Sequence, residues 1–215
     1  MIVAIDGPAG AGKSTVAKLL AERLGFHYLD TGAMYRALTW LALARAVPLE
    51  DGPALGALGR ANPVDFDEAG GVFIAGEDVT SAIRRPAIDR IVSLVSRRPE
   101  VRELMRIRQR ELGALGDSVI EGRDIGTVVV PNAEVKVFLI ADEAVRAARR
   151  LADRPGERAE TLADDMRRRD SIDAPQTQRA PDAELIETTD MTVEQVVERI
   201  ERLVQEKRTI TGRPS

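Results

Sequence analysis

Gly7 to Ser14 reads GPAGAGKS, a complete match to Gly, four residues, then Gly-Lys-Ser/Thr. The run before it, MIVAID, is short, apolar and partly β-branched, as expected of a buried parallel strand. After it, Val16, Leu19, Leu20 and Leu24 recur at helical spacing, and Gly25 ends the helix. A strand, a glycine-rich turn and a helix in that order form a phosphate cradle. The glycines let backbone N–H groups turn inward, and the helix N-terminus adds unpaired donors and a positive dipole end. Gly7, Pro8, Ala9, Gly10, Ala11, Gly12, Lys13, Ser14 and Thr15 are therefore the expected ATP-binding residues. Lys13 would reach the β- and γ-phosphates, and the Ser14 hydroxyl would ligate Mg²⁺. The motif specifies a nucleoside triphosphate and says nothing of what receives the phosphate.

The remaining chain continues the alternation. Strands are expected at His27 to Leu29, Ser118 to Glu121, Val135 to Ile140 and Leu185 to Glu187. A helix is expected over Thr31 to Ala46, with Met34, Leu38, Leu41 and Leu43 on its apolar face. A last helix starts at Thr192, with Gln195 at capping-box spacing and Val193, Val196, Val197, Ile200, Leu203 and Val204 as its stripe. Alternating strands and helices predict an α/β fold, a P-loop kinase core with an open parallel sheet flanked by helices. Pro63 to Thr80 breaks that rhythm and reads as a β-hairpin with Gly70-Gly71 at its turn. Asp153 to Pro181 is charged and Arg-rich, either a solvated helical surface or a mobile lid that excludes water from a transfer reaction. The expected organisation is one P-loop domain over residues 1–215, with an insert at about 60–92 that breaks the alternation and a lid at about 150–172.

Composition narrows the function. With 31 Lys and Arg against 35 Asp and Glu, the net charge of −4 does not suit a non-specific nucleic-acid binder. No cysteine is present, and one histidine cannot build a zinc site. No apolar run reaches the length of a membrane span, and no signal peptide precedes the first strand, so a cytoplasmic chain is expected. A switch GTPase should carry the guanine-reading Asn-Lys-x-Asp, which is absent. A motor ATPase often ends a strand in an acidic pair, whereas VKVFLI runs into Ala141-Asp142. A small kinase fits best. Two alternatives stay open: another small-molecule P-loop kinase, and a nucleotide-binding regulator without transfer, although intact Lys13 and Ser14 argue against the latter.

Two further runs lie at strand ends, where open α/β sheets bind ligands. DTGAMYR, Asp30 to Arg36, opens a helix and offers Arg36 for a two-point grip on a phosphate. EGRDIGT, Glu121 to Thr127, clusters Arg123 and Asp124. Alone, Arg36 is as readily a solvated arginine, and Arg123–Asp124 as readily a local surface pair.

Taken together, GPAGAGKST, DTGAMYR, VSLVSRRPEVRELMRIRQR, EGRDIGTVVVP and RRRDSID resemble, in that order, the bacterial cytidylate kinase family, from Ile2 to about Glu206. The resemblance implies phosphoryl transfer from ATP, with Mg²⁺, to CMP or dCMP. It marks the hairpin insert at about 60–92 as the monophosphate-binding region and implies ATP and CMP or dCMP as small-molecule partners; with no nucleic-acid polymer and no membrane suited to the composition, a monomer is expected. The resemblance marks Thr31, Tyr35, Arg36, Ser93, Arg102, Arg123, Asp124 and Asp173 as the CMP-binding set. Within it, Arg36 and Arg123 would hold the phosphate, and Ser93, Arg102 and Asp124 would read cytosine. Asp173 would bond the ribose hydroxyl. Lys13, Arg123 and the lid residue Arg169 would be catalytic, with Arg150, Arg154 and Arg158 as further lid arginines. One departure stands out: the family pattern has an Arg three residues after Asp173, and here that place is Gln176. The ribose contact is left to Gln176 or to Arg179.

Overall fold

The computed structural model describes residues 1–67, 69–152, 156 and 158–212. The chain divides into two compact units, Met1–Leu29 with Gly113–Ser215, and Asp30–Leu112.

The first unit is built on a five-stranded sheet. In chain order the sheet uses β1 (Ile2–Asp6), β2 (His27–Asp30), β6 (Ser118–Gly122), β7 (Val135–Ile140) and β8 (Glu184–Glu187), and its spatial order is β2-β6-β1-β7-β8. β1 lies at the centre and pairs in parallel with β6 on one side and β7 on the other. Its register sets Asp6 beside Gly122 and Phe138, so the β1 and β6 ends lie side by side at the edge where open α/β sheets take ligands. Val3, Ala4 and Ile5 are fully buried, which explains why this strand reads as a continuous apolar run.

Helix α1 (Lys13–Leu24) buries Val16, Ala17, Leu20 and Ala21 and ends at Gly25 in the left-handed conformation, φ 66°. Helix α8 (Val193–Thr211) begins with the expected capping box. Gln195 N–H donates to Thr192 Oγ1 at 3.3 Å, and Thr192 N–H donates to Gln195 Oε1 at 2.9 Å. Val196, Val197, Ile200 and Val204 pack in one core with α1 and the sheet. Each buried aliphatic side chain of this kind contributes about 1.5–3 kcal/mol. Two further helices follow β7: α6 (Glu143–Ala152), which reaches the expected lid only with its last turn, and α7 (Ala159–Asp173), which forms most of it among the described residues.

The second unit contains α2 (Thr31–Ala44), α3 (Gly52–Ala61), α4 (Pro86–Ser96) and α5 (Pro99–Gly113), whose last residue belongs to the first unit. α2 stops two residues before its expected end because Ala46 adopts a left-handed φ of 52°, and Val47 N–H closes back on Ala42 O at 2.8 Å. Met34, Leu38 and Leu41 are buried as expected, but Leu43 is exposed. Two residues beyond Leu41, it has rotated off the shared face.

The expected hairpin is a three-stranded antiparallel sheet, β3 (Asp65–Phe66), β4 (Val72–Ile74) and β5 (Glu77–Asp78). Gly70 and Gly71 do lie between β3 and β4. The second turn went unread because its first residue is Ala75, held at φ 53° before Gly76 at 78°; both central residues of such a two-residue loop need positive φ, and alanine does not advertise it. Among the described residues, no helix is long and apolar enough to cross a membrane.

Candidate active site

In the first unit the P-loop follows β1 directly. Gly7, Gly10 and Gly12 all have positive φ, and a Cβ on Gly7 would overlap the Leu139 carbonyl oxygen of β7. No side chain caps the N-terminus of α1, so its first N–H groups are left to an anion. Ser14 and Thr15 are exposed on the first turn. Lys13 is only 7% exposed, and its Nζ donates to Pro8 O at 2.7 Å. Burial pushes its ammonium well below the ordinary lysine range. The Arg123 and Arg169 guanidiniums push the same way, while Glu121 and Asp6 oppose them. A buried lysine among arginines is costly without an anion and suited to a polyphosphate.

Three of the residues marked in the sequence meet here. Arg123 Nε donates to Asp173 Oδ2 at 3.4 Å, and Arg169 Nε lies 3.5 Å from the same oxygen. Arg123 also reaches Gly7 O through Nη1 at 2.9 Å, tying the turn after β6 to the P-loop. Asp124 is buried and begins a short π turn, Ile125–Val129. Glu121, also buried, accepts the Tyr28 hydroxyl at 2.6 Å. Gln176 is half-buried in a short 3₁₀ turn, Ala174–Gln176, and Arg179 is exposed.

The lid arginines separate into groups. Arg150 is half-buried in the last turn of α6, Arg158 pairs with Glu160 at 3.5 Å, and Arg154 lies outside the described residues. Two others carry contacts that the sequence did not assign, Arg146 to the P-loop and Arg149 to Thr188 just after β8. Arg146 Nη1 donates to Ala9 O at 2.9 Å and pairs with Asp170, whose Oδ1 accepts Ala9 N–H at 3.4 Å. The Ala9 peptide is thus gripped on both sides. Arg149 Nη2 donates to Thr188 O at 2.7 Å, and the Thr188 hydroxyl donates to Ile140 O at 3.0 Å. The signal for them was the 146, 149, 150 spacing, which sets three arginines along one helix face.

Asp6 was also missed. It is 4% exposed, and its two oxygens accept Ile125 N–H at 2.9 Å and Gly126 N–H at 2.8 Å. Desolvation raises its pKa to about 6; the two backbone bonds and Lys13 oppose that rise, and Asp124 adds to it.

The second unit holds the rest of the expected set. Asp30 caps α2 by accepting Ala33 N–H at 2.8 Å, and it accepts from Arg84 Nη2 at 2.7 Å. Burial would raise its carboxyl, but Arg36, Arg84 and the Ala33 N–H together hold it below the usual aspartate range. Arg36 Nε donates to Asp89 at 3.1 Å, and its Nη1 lies 3.9 Å from Asp30. Thr31 is buried, and Tyr35 is half-buried one residue before Arg36. Ser93 is buried on α4, and half-buried Arg102 on α5 donates toward Ser96 O at 3.5 Å. Arg84 and Asp89 were not foreseen, because nothing in their local sequence separates them from solvated surface charge.

A strand, glycine turn and uncapped helix around a buried lysine, with arginines converging on it, define a P-loop phosphotransferase. The comparisons narrow the class. The family model for cytidylate kinase matches residues 3–206. The chain is 45% identical over 219 residues to the cytidylate kinase of Bacillus licheniformis, covering 96% of this chain and 97% of that protein. It is 49% identical over 216 residues to the cytidylate kinase of Geobacillus kaustophilus, covering 95% and 96%. The chain belongs to the cytidylate kinase family. Among solved structures, a shikimate kinase from Bacteroides thetaiotaomicron shares the fold, with a TM-score of 0.51 at 18% identity over 95% of this chain and 98% of that one. So does a protein from Eubacterium ventriosum, with a TM-score of 0.56 at 15% identity over 96% and 98%.

Proposed function

We propose that this chain transfers the γ-phosphate of ATP to CMP or dCMP, giving ADP and CDP or dCDP. The observation that supports it most is a buried Lys13 at an uncapped helix start, with Arg123 bonded to Gly7 O of the same loop and Arg169 beside Asp173, in a chain matched to the family over residues 3–206. The phosphate oxygen of CMP is already anionic at neutral pH, so no general base is required, and catalysis comes from in-line placement and charge neutralisation. Gly7 to Thr15 cradle ATP. Lys13, Arg123 and Arg169 oppose the charge on the transferring phosphoryl group. Mg²⁺, carried by the nucleotide phosphates and the Ser14 hydroxyl, supplies further neutralisation when bound. The uncapped, exposed start of α1 fits that role, and among the described residues no cluster of His, Cys, Asp or Glu offers a separate metal site.

On the acceptor, Arg36 and Arg123 are assigned to the phosphate, with Thr31 and Tyr35 beside Arg36. Ser93, Arg102 and Asp124 are assigned to cytosine, and Asp173 to the ribose. The chemistry is consistent: a carboxylate accepts from the cytosine amino group, a guanidinium donates to N3 and O2, and uracil would oppose Asp124 with a second acceptor. The same reading carries action as a monomer and a cytoplasmic location. A coupled ADP-release assay with MgATP and CMP, dCMP, UMP, AMP and GMP tests it. CMP and dCMP should be turned over fastest; rates no higher than ATP hydrolysis alone with either would refute it.

A further inference from the structure

The turn that carries Arg123 and Asp124 is held by a residue from a different strand. The π turn Ile125–Val129 begins at Asp124, whose own side chain makes no cap bond. The first N–H groups of such a turn need acceptors, and when buried each costs free energy if unmet. Asp6 supplies both, with Oδ1 on Ile125 N–H at 2.9 Å and Oδ2 on Gly126 N–H at 2.8 Å. The packing is tight on this side. A Cβ added at Gly126 would lie 3.2 Å from Lys136 Cδ and 3.5 Å from Asp6 Oδ2. Gly7, the next residue, accepts Arg123 Nη1 at 2.9 Å. The end of β1 therefore grips the turn at three points, on either side of Asp124.

We propose that Asp6 is a positioning residue for the nucleoside monophosphate, its ionised carboxylate holding the 124–126 turn so that Asp124 meets the base and Arg123 the phosphate. This rests on the roles given to Asp124 and Arg123 above. Protonation converts one Asp6 oxygen into a donor facing a donor, so one of the two bonds is lost and the turn loosens. Desolvation of this buried carboxyl brings the change within reach, with a pKa of about 6. The charged groups facing Asp6 are Asp124 on the turn, which raises its pKa, and Lys13 on α1, which lowers it. From β7 the stem of Lys136 packs against Gly126, its ammonium being bonded to Asp182 at 2.8 Å.

The test is cytidine binding to the full chain by calorimetry from pH 5 to pH 8, in the wild type and in Asp6→Asn. Cytidine is the probe because CMP carries a phosphate whose own second pKa is about 6. With a pKa of about 6, only about one Asp6 in eleven is ionised at pH 5, so Kd for cytidine should rise about tenfold between pH 7.5 and pH 5. Asp6→Asn keeps one acceptor and sets an NH₂ against the other N–H. It should bind cytidine weakly at every pH, with no inflection near pH 6. A flat wild-type profile overturns the proposal, as does an Asp6→Asn variant that binds as the wild type does at pH 7.5 or keeps the inflection. Should Asp6→Asn not fold, by circular dichroism, the wild-type profile alone decides. If neither cytidine nor CMP binds the wild type at pH 7.5, the cytidylate reading falls and the proposal with it. Binding without the pH dependence removes the proposal alone.

Discussion

Asp6 should cost this protein stability at neutral pH, and the cost can be worked from its environment. Its carboxyl shifts from 3.8 to about 6 on folding, chiefly through desolvation. The folded state thus binds this proton more tightly than the unfolded chain. The group's contribution is greatest below 3.8 and is lost as pH rises through about 6. The full shift corresponds to about 3 kcal/mol. Between pH 5 and pH 7.5, the part lost is about 1.4 kcal/mol. Asp30 has its pKa lowered, so its contribution changes below its unfolded value of 3.8, outside this window. Urea unfolding of wild type and Asp6→Asn at pH 5 and pH 7.5, followed by circular dichroism, isolates the term. Asparagine does not titrate, so the wild type should gain about 1.4 kcal/mol more than the variant on acidification. Equal gains in the two proteins would refute the linkage.

Three other outcomes are expected. Lys13→Ala should lower kcat at least about a hundredfold while circular dichroism shows an intact fold, because the transferring phosphoryl loses a fixed cation; wild-type turnover would contradict the kinase reading. Gly7→Ala should destabilise the first unit by about 3 kcal/mol or more in urea unfolding, since the new methyl overlaps the Leu139 carbonyl and the backbone is held at φ 147°. UMP should be poorer than CMP by roughly ten- to a hundredfold in kcat/KM, and Asp124→Ala should shrink that ratio; an unchanged ratio would assign Asp124 to holding its turn alone.

Much of the first unit was legible because its signals are local. The apolar β1, the glycines of the cradle and the Thr192–Gln195 box each name their structure within a few residues. Arg123 and Asp124 were legible as candidates from their place after a strand. What could not be read depends on pairings distant in sequence. Nothing near Asp6 says that it will accept Ile125 and Gly126 N–H groups, nor does the surround of Asp89 foretell Arg36. The Ala75–Gly76 turn was hidden for another reason: alanine at positive φ is tolerated there because the strands on either side impose it.

Two strong perturbations in the first unit run in opposite directions toward the same end. Burial drives Lys13 toward its neutral form, with Arg123 and Arg169 assisting, and burial drives Asp6 toward its neutral form, with Asp124 assisting. Each charge is thus disfavoured where it stands, and the two oppose each other's shift only weakly. A fold selected for stability alone has no use for either, since apolar side chains of similar volume serve a core as well or better. Their retention makes sense if the charges act on something absent from the empty cradle. A polyphosphate beside Lys13 supplies the missing counter-charge and restores the ammonium. Asp6 differs, because its acceptors are already engaged with the 125–126 backbone. Its charge serves geometry, holding a turn by two short bonds that no neutral side chain of that size can accept together. The cost to folding at Lys13 is offset by ligand, whereas the cost at Asp6 persists in the bound state, which is the mark of a group kept for position.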